Sequence, residues 1–149
     1  MTKILFLCHG NICRSPMCEF VFTELARWAG VSDKFEIASA ATSLEEIGND
    51  MYPPAKACLR AHGIPFSRRH ARQVTRADYD DYDLLIIMEE YNRRNLRRII
   101  PDDPEDKVHT LMSYTGRDRD VADPWYTDDF ETAYDDILRG CEALLAALL

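Results

Sequence analysis

Apolar residues along this chain fall into short unbroken runs that alternate with longer periodic stretches. Residues 3–8, where Ile4, Leu5, Phe6 and Leu7 close on Cys8, and residues 84–88 are apolar without helical period, the pattern of strands buried on both faces. Residues 35–39 and 108–112 are two further short strand candidates. Between them lie helical stretches. The first opens at Ser15, read as N-cap ahead of Pro16 with Glu19 in the first turn, and runs to about residue 29, where Gly30 ends it. The others are 54–62, closed by Gly63, then 89–99, stopped by Pro101, and a long amphipathic stretch at 129–149. Such alternation predicts right-handed βαβ crossovers and an α/β fold, a parallel sheet with helices on both faces. In such sheets ligands sit beyond the carboxyl ends of the strands, so the loop after the first strand is the first place to seek chemistry.

That loop, residues 8–16, reads Cys8, His9, Gly10, Asn11, Ile12, Cys13, Arg14, Ser15, Pro16 and runs from a strand end straight into a helix start. A helix N-terminus offers unpaired N–H groups and a partial positive charge, so a tight loop ending there can wrap a phosphate. Gly10 is expected to supply the unusual backbone angles. A cysteine at the strand end with an arginine six positions on places a sulfur beneath a bound phosphorus and a planar guanidinium beside its oxygens. The loop N–H groups, Arg14 and the Ser15 hydroxyl should together favour a thiolate, the nucleophilic form of cysteine. A lone cysteine at that place would read as a small apolar residue finishing a strand; the company it keeps makes it a candidate nucleophile.

Phosphoryl transfer to sulfur also needs a proton for the leaving oxygen, and the best candidate is Asp123, followed by Pro124, Trp125 and Tyr126 in an expected loop. The same residues also read as an ordinary Asp-Pro turn, with the two aromatic rings able to shield the carboxyl or stack on an aromatic substrate.

Composition narrows the field. The 149 residues suit one domain, 1–149, and 46% hydrophobic with 30% charged residues fits a globular protein. Eighteen Lys and Arg against 26 Asp and Glu give a formal charge of -8, which repels nucleic acid and acidic membranes. The basic clusters Arg68, Arg69, Arg72, Arg76 and Arg93, Arg94, Arg97, Arg98 read as solvated faces. No stretch approaches the ~18 apolar residues of a membrane span, and the apolar start is too short for a signal peptide. Five cysteines without a disulfide-framework spacing suit a reducing compartment, so the expectation is a cytoplasmic protein. No Cys-x-x-Cys or His-rich ligand spacing occurs, so no metal and no cofactor are expected. The absence of a Gly-x-x-x-x-Gly-Lys-Ser/Thr motif argues against a nucleotide site.

Through Cys8, Gly10, Asn11, Cys13, Arg14, Ser15 and Pro16 together with Asp123-Pro124-Trp125-Tyr126, the chain resembles the low-molecular-weight protein tyrosine phosphatases. Ser39-Ala40, Ala71-Arg72-Gln73 and the strand into Met88 followed by Asn92 extend the likeness over nearly the whole length. The resemblance implies a three-layer α/β/α fold with a four-stranded parallel sheet of order 2-1-3-4, phosphotyrosine protein phosphatase I-like. It implies a metal-free reaction on a phosphotyrosine protein or small aryl phosphate, through a cysteinyl-phosphate intermediate, by a monomer with weak dimerisation allowed. By position, Cys8 attacks phosphorus, Arg14 stabilises the transition state and Asp123 protonates the leaving phenolate, then activates water. Asn11 should brace the loop with Ser39, Ser15 should hydrogen-bond Cys8, and Cys13 should form a protective reversible disulfide with Cys8.

Some positions depart from the family pattern. In Ser43-Leu44-Glu45-Glu46, at the substrate cleft, many relatives carry an aromatic wall that is missing here, and Glu45 and Glu46 should disfavour acidic phosphopeptides. Arg69, beside His70, stands where relatives often have a histidine, which leaves the bracing of the loop open. His9 is at most a modulator, while His62 and His109 read as structural or surface residues. Three rivals remain. An arsenate reductase needs a further cysteine in a mobile segment, and residues 71–95 have none. A protein arginine phosphatase tends to have threonine where Ile12 stands. A non-catalytic phosphotyrosine-binding module would be expected to lack the nucleophile, arginine or acid.

Overall fold

The computed structural model describes residues 1–149. Its elements in chain order are β1 (Thr2–Cys8), α1 (Arg14–Trp28), β2 (Phe35–Ala41), α2 (Pro53–Ala61), α3 (Arg76–Asp81), β3 (Leu84–Ile87), α4 (Glu90–Leu96), β4 (Val108–Thr110), α5 (Pro124–Thr127) and α6 (Phe130–Leu148). The four strands form one parallel sheet in the order β2-β1-β3-β4, with β1 central and in register along its whole length with β2, so that Cys8 faces Ala41.

The unbroken apolar strands are explained by what covers them. Ile4, Phe6 and Ile86 enter one core with Met17, Phe22, Ile137 and Leu144 from α1 and α6. Leu5, Leu7, Leu85 and Ile87 enter a second, on the opposite face, with Tyr79 of α3 and Leu96 of α4. Period-two alternation along β1 thus serves two apolar layers, where a strand with one wet face would alternate with polar residues. Close approach of α6 to the 3-10 turn Leu111–Thr115 is allowed by Gly140, where an added Cβ would lie 2.4 Å from Leu111 Cγ. No helix is long and apolar enough to cross a membrane.

Several expected boundaries move, each for a local reason. Helix α1 begins at Arg14 with Cys13 as N-cap, so Ser15 is not the cap and Glu19 lies beyond the first turn. The helix expected at 89–99 is Glu90–Leu96, with Glu89 as its N-cap: Asn92 Oδ1 reaches back to accept the N–H groups of Met88 and Glu89, each at 3.0 Å, which fixes the first turn and leaves the Glu89 carboxylate free for another partner. β4 stops at Thr110, and Leu111–Thr115 continues as a 3-10 turn closed by Gly116 at φ 84°. Helix α3 was not anticipated. Its six residues are too few to display a helical period, and the mark it does carry is the Thr75 and Asp78 capping box. Nor was α5, a single turn set off by Asp123 and Pro124.

Candidate active site

Cys8 ends the central strand and is 3% exposed. The chain beyond it is tied down from outside: Thr42 N–H donates to Cys8 O at 3.0 Å, Ser43 N–H to His9 O at 3.1 Å and Tyr52 N–H to Ile12 O at 2.8 Å. Within the loop the donors turn inward. Cys8 Sγ lies 3.0 Å from Ser15 Oγ and accepts from the N–H groups of Asn11 at 3.3 Å and Ser15 at 3.5 Å. The N–H groups of Gly10, Ile12, Cys13 and Arg14 hydrogen-bond to nothing in the protein, while these residues line a cleft of about 300 Å³. Ordered unpaired donors at the start of a 15-residue helix make an anion cradle.

The unusual backbone angle falls on Asn11, at φ 60°, and not on Gly10 as expected. Gly10 serves close approach, since a Cβ there would meet Glu46 Cγ at 3.3 Å. Asparagine tolerates the left-handed region, and here its side chain pins the turn from both ends. Asn11 Nδ2 donates to Ser15 Oγ at 2.8 Å and to Ser39 Oγ at 3.0 Å, and Asn11 Oδ1 accepts from the Arg69 guanidinium and from Arg72 N–H at 3.4 Å. Arg69 thus closes the bracing network. The Ser39 hydroxyl in turn donates to Glu19 Oε1 at 2.6 Å. Burial pushes the Glu19 carboxyl up, opposed by that hydroxyl and by Arg69 and Arg72.

Arg14 is 2% exposed and held by three acceptors: Nη1 donates to Val121 O at 3.1 Å, and Nη2 to Glu89 at 3.0 Å and Asp123 Oδ2 at 3.3 Å. Burial works against the guanidinium charge, but Glu89 first, then Cys8 and Asp123, raise its pKa above the ordinary arginine value. Asp123 caps α5, accepting Trp125 N–H at 3.1 Å on its other oxygen. Glu89 had no assigned role in the sequence reading; its place just past the carboxyl end of β3 was the available signal.

The cleft walls are Glu45 and Glu46 on one side, Trp125 and Tyr126 on another, and Tyr91, which the sequence reading missed. Leu44 is the exception among the expected cleft residues: it is 68% exposed and does not line the cleft. Ser43 Oγ holds His9 O at 2.8 Å and Glu45 reaches His9 Nε2 at 2.9 Å, so the turn presents Glu45 and leaves Leu44 outward. Tyr91 packs against the His9 ring, centroids 6.0 Å apart. Burial, then the neighbouring Cys8 and Asp123, pushes the Cys13 thiol up to about 12. Cys18 and Cys141 are buried between α1 and α6, outside the cleft. The one cluster of side chains able to ligate a metal, Cys58, His62 and Glu131, also lies outside it.

Residues 3–149 match the family described as low molecular weight phosphotyrosine protein phosphatase. The chain is 39% identical to the low molecular weight protein-tyrosine-phosphatase YfkJ of Bacillus subtilis, over 99% of this chain and 96% of that one, and superposes on its crystal structure, 99% of this chain on 94% of that one, with a TM-score of 0.94. It is 40% identical to the human low molecular weight phosphotyrosine protein phosphatase over 96% of this chain and 93% of that one. At 28% identity it also superposes on the crystal structure of a Drosophila arginine phosphatase, 99% of this chain on 98% of that one, with a TM-score of 0.89. With the cradle, the arginine and the acidic residue in one cleft and this likeness over the full length, the chain belongs to the low molecular weight phosphotyrosine protein phosphatase family.

Proposed function

We propose that the chain, as one cytoplasmic domain over residues 1–149, hydrolyses phosphotyrosine through a cysteinyl-phosphate intermediate without a metal. The observation that carries this is the convergence on Cys8 Sγ of three donors, from the Ser15 hydroxyl and the Asn11 and Ser15 N–H groups, on the floor of a cleft shared with Arg14 and Asp123. Those donors aim at the sulfur that is to attack, and the unpaired loop N–H groups hold the phosphate above it.

In the first step the sulfur forms a bond to phosphorus while the bond from phosphorus to the phenolic oxygen breaks. Arg14 and the loop N–H groups carry the charge on the equatorial oxygens, and Asp123 gives its proton to the phenolate. In the second, water attacks phosphorus, Asp123 takes its proton, the sulfur leaves as thiolate and inorganic phosphate departs. Cys13, buried and protonated, stays out of both steps; as the second thiol lining the cleft it is suited to trap an oxidised Cys8 as a disulfide.

Likeness to the arginine phosphatase gives a second reading. The apolar Ile12 and the rings of Tyr91, Trp125 and Tyr126 around the cleft favour an aromatic leaving group. Hydrolysis of an aryl phosphate in chelator by the native protein, Cys8→Ser and Asp123→Ala tests the proposal, with phosphoarginine as competitor substrate. Turnover lost in Cys8→Ser, and slowed in Asp123→Ala most for poor leaving groups, supports it. Full activity in Cys8→Ser, or preference for phosphoarginine, overturns it.

A further inference from the structure

Cys58 in the last turns of α2 and His62 at its C-cap are four residues apart, so both side chains leave the helix on one face. That face meets the first turn of α6. Cys58 Sγ lies 3.6 Å from Glu131 Oε1, His62 Nε2 lies 2.7 Å from Glu131 Oε2, and the three ligand atoms all fall within 4.8 Å of one another. The imidazole is not free to turn away: its ring stacks on Tyr134, centroids 3.8 Å apart and planes 8° from parallel.

We propose that Cys58, His62 and Glu131 bind one divalent transition-metal ion of the zinc class, with a fourth position open to solvent. Thiolate, imidazole and carboxylate suit zinc and its neighbours and discriminate against magnesium and calcium, which take oxygen ligands. Metal–ligand bonds of about 2.0–2.3 Å in a tetrahedron separate the ligand atoms by roughly 3.5 Å. The sulfur–oxygen spacing already matches, and the close His62–Glu131 pair needs only a small rotation of the Glu131 side chain, which is 63% exposed. Neither partner on α2 can meet Glu131 by sequence proximity. The two helices supply one site only because the fold brings them together.

The site is a clamp and not a catalyst, since none of the three residues lines the cleft. Its place gives it leverage. Tyr52, which caps the other end of α2, packs with tilted rings against Trp125 of α5, centroids 5.1 Å apart, and Phe130, centroids 6.1 Å apart. A metal joining α2 to α6 therefore fastens both elements that flank the Asp123 segment. In forming the bond to sulfur the metal displaces the Cys58 thiol proton to solvent.

Titration of the full-length protein with Co2+ under a non-thiol reductant, then displacement by Zn2+, tests the site. One equivalent should bind with a thiolate-to-cobalt charge-transfer band that Cys8→Ser keeps and Cys58→Ser loses. Because Cys58 is buried and its replacement can harm folding, His62→Ala and Glu131→Gln at the surface provide the second arm. Each should weaken binding at least tenfold and abolish the rise in Tm on adding Zn2+, while turnover in chelator stays native. A band that survives in Cys58→Ser or vanishes in Cys8→Ser overturns the proposal, as does unchanged affinity in His62→Ala or no Co2+ binding at all.

Discussion

The Ser15 hydroxyl lies 3.0 Å from the Cys8 sulfur, although a serine at a helix start would ordinarily turn its oxygen onto the helix's own N–H groups. The position of the first turn explains the difference. Helix α1 begins at Arg14, so Ser15 is already helical, and its oxygen accepts from Asn11 Nδ2 at 2.8 Å. The hydroxyl proton is left for the sulfur.

Ser15→Ala removes that proton and keeps the backbone donors. A hydrogen bond to a charged group contributes about 1.5–3 kcal/mol, so kcat/KM for an aryl phosphate should fall roughly 10- to 100-fold with the fold intact. Steady-state kinetics alongside a thermal melt checks this, and a native rate would remove Ser15 from the mechanism.

Asn11 combines a left-handed backbone with four side-chain partners, and two substitutions separate these roles. Asn11→Gly keeps the angle and loses the bonds, while Asn11→Ala loses both, with a further cost of about 1–2 kcal/mol for the strained backbone. Urea midpoints should fall in the order native, Gly, Ala. Arg69→Ala should lower kcat more than it raises KM, because Arg69 braces the loop without lining the cleft.

Tyr91 and Glu45 both contact His9 and line the cleft. Tyr91→Ala should raise KM for aryl phosphates about two- to tenfold, the worth of one aromatic contact, and leave the KM for a small alkyl phosphate unchanged. Glu45→Gln should speed turnover of acidic phosphotyrosine peptides relative to basic ones. Competition between the two peptide types in one reaction measures it, and equal preference in both proteins would refute a charge filter.

Much of this architecture is readable from the chain because β1 and β3 are buried on both faces and Cys8, the loop donors and Arg14 lie within seven residues. What hides is whatever depends on distance along the chain. Glu89 meets Arg14 from 75 residues away and Arg69 meets Asn11 from 58, and neither pairing leaves a local pattern. Ser15-Pro16 shows the opposite failure: the local pattern reads as a cap, but the helix starts one residue earlier at Arg14 and the Ser15 hydroxyl meets Cys8 and Asn11 in place of the helix N–H groups. Cys58 and His62 do share helical spacing, but without Glu131 the pair is indistinguishable from a core cysteine and a surface histidine.

Gly140→Ala offers a stability test far from the chemistry. The new methyl would lie 2.4 Å from Leu111 Cγ, in a fully buried contact. Overpacking of this kind costs about 1–3 kcal/mol, against roughly 1 kcal/mol gained from alanine's helix preference. The Tm should fall in Gly140→Ala, and Leu111→Ala should be less harmful in that background than in the native one. Simple additivity of the two changes would refute the contact.

Acid should weaken the fold through Asp50. Burial alone would raise this carboxyl, but the Lys56 ammonium and the Met51 and Arg69 N–H groups outweigh it and hold it down to about 2. A carboxyl lower in the folded than in the unfolded chain stabilises above its ordinary value of about 3.9, and that contribution fades as pH falls through the folded value. Urea midpoints measured between those limits should drop less steeply in Asp50→Asn than in the native protein.

Sharing of Arg14 Nη2 between Glu89 and Asp123 has a consequence for how the cleft handles charge. A phosphate monoester does not meet a waiting cation; it must outbid a carboxylate already in place. Net affinity is then a difference between two ionic contacts, which keeps inorganic phosphate from lingering after turnover. The same exchange would free an Asp123 oxygen as the ester enters, so that under the proposed mechanism loading the site and presenting its carboxyl are one event.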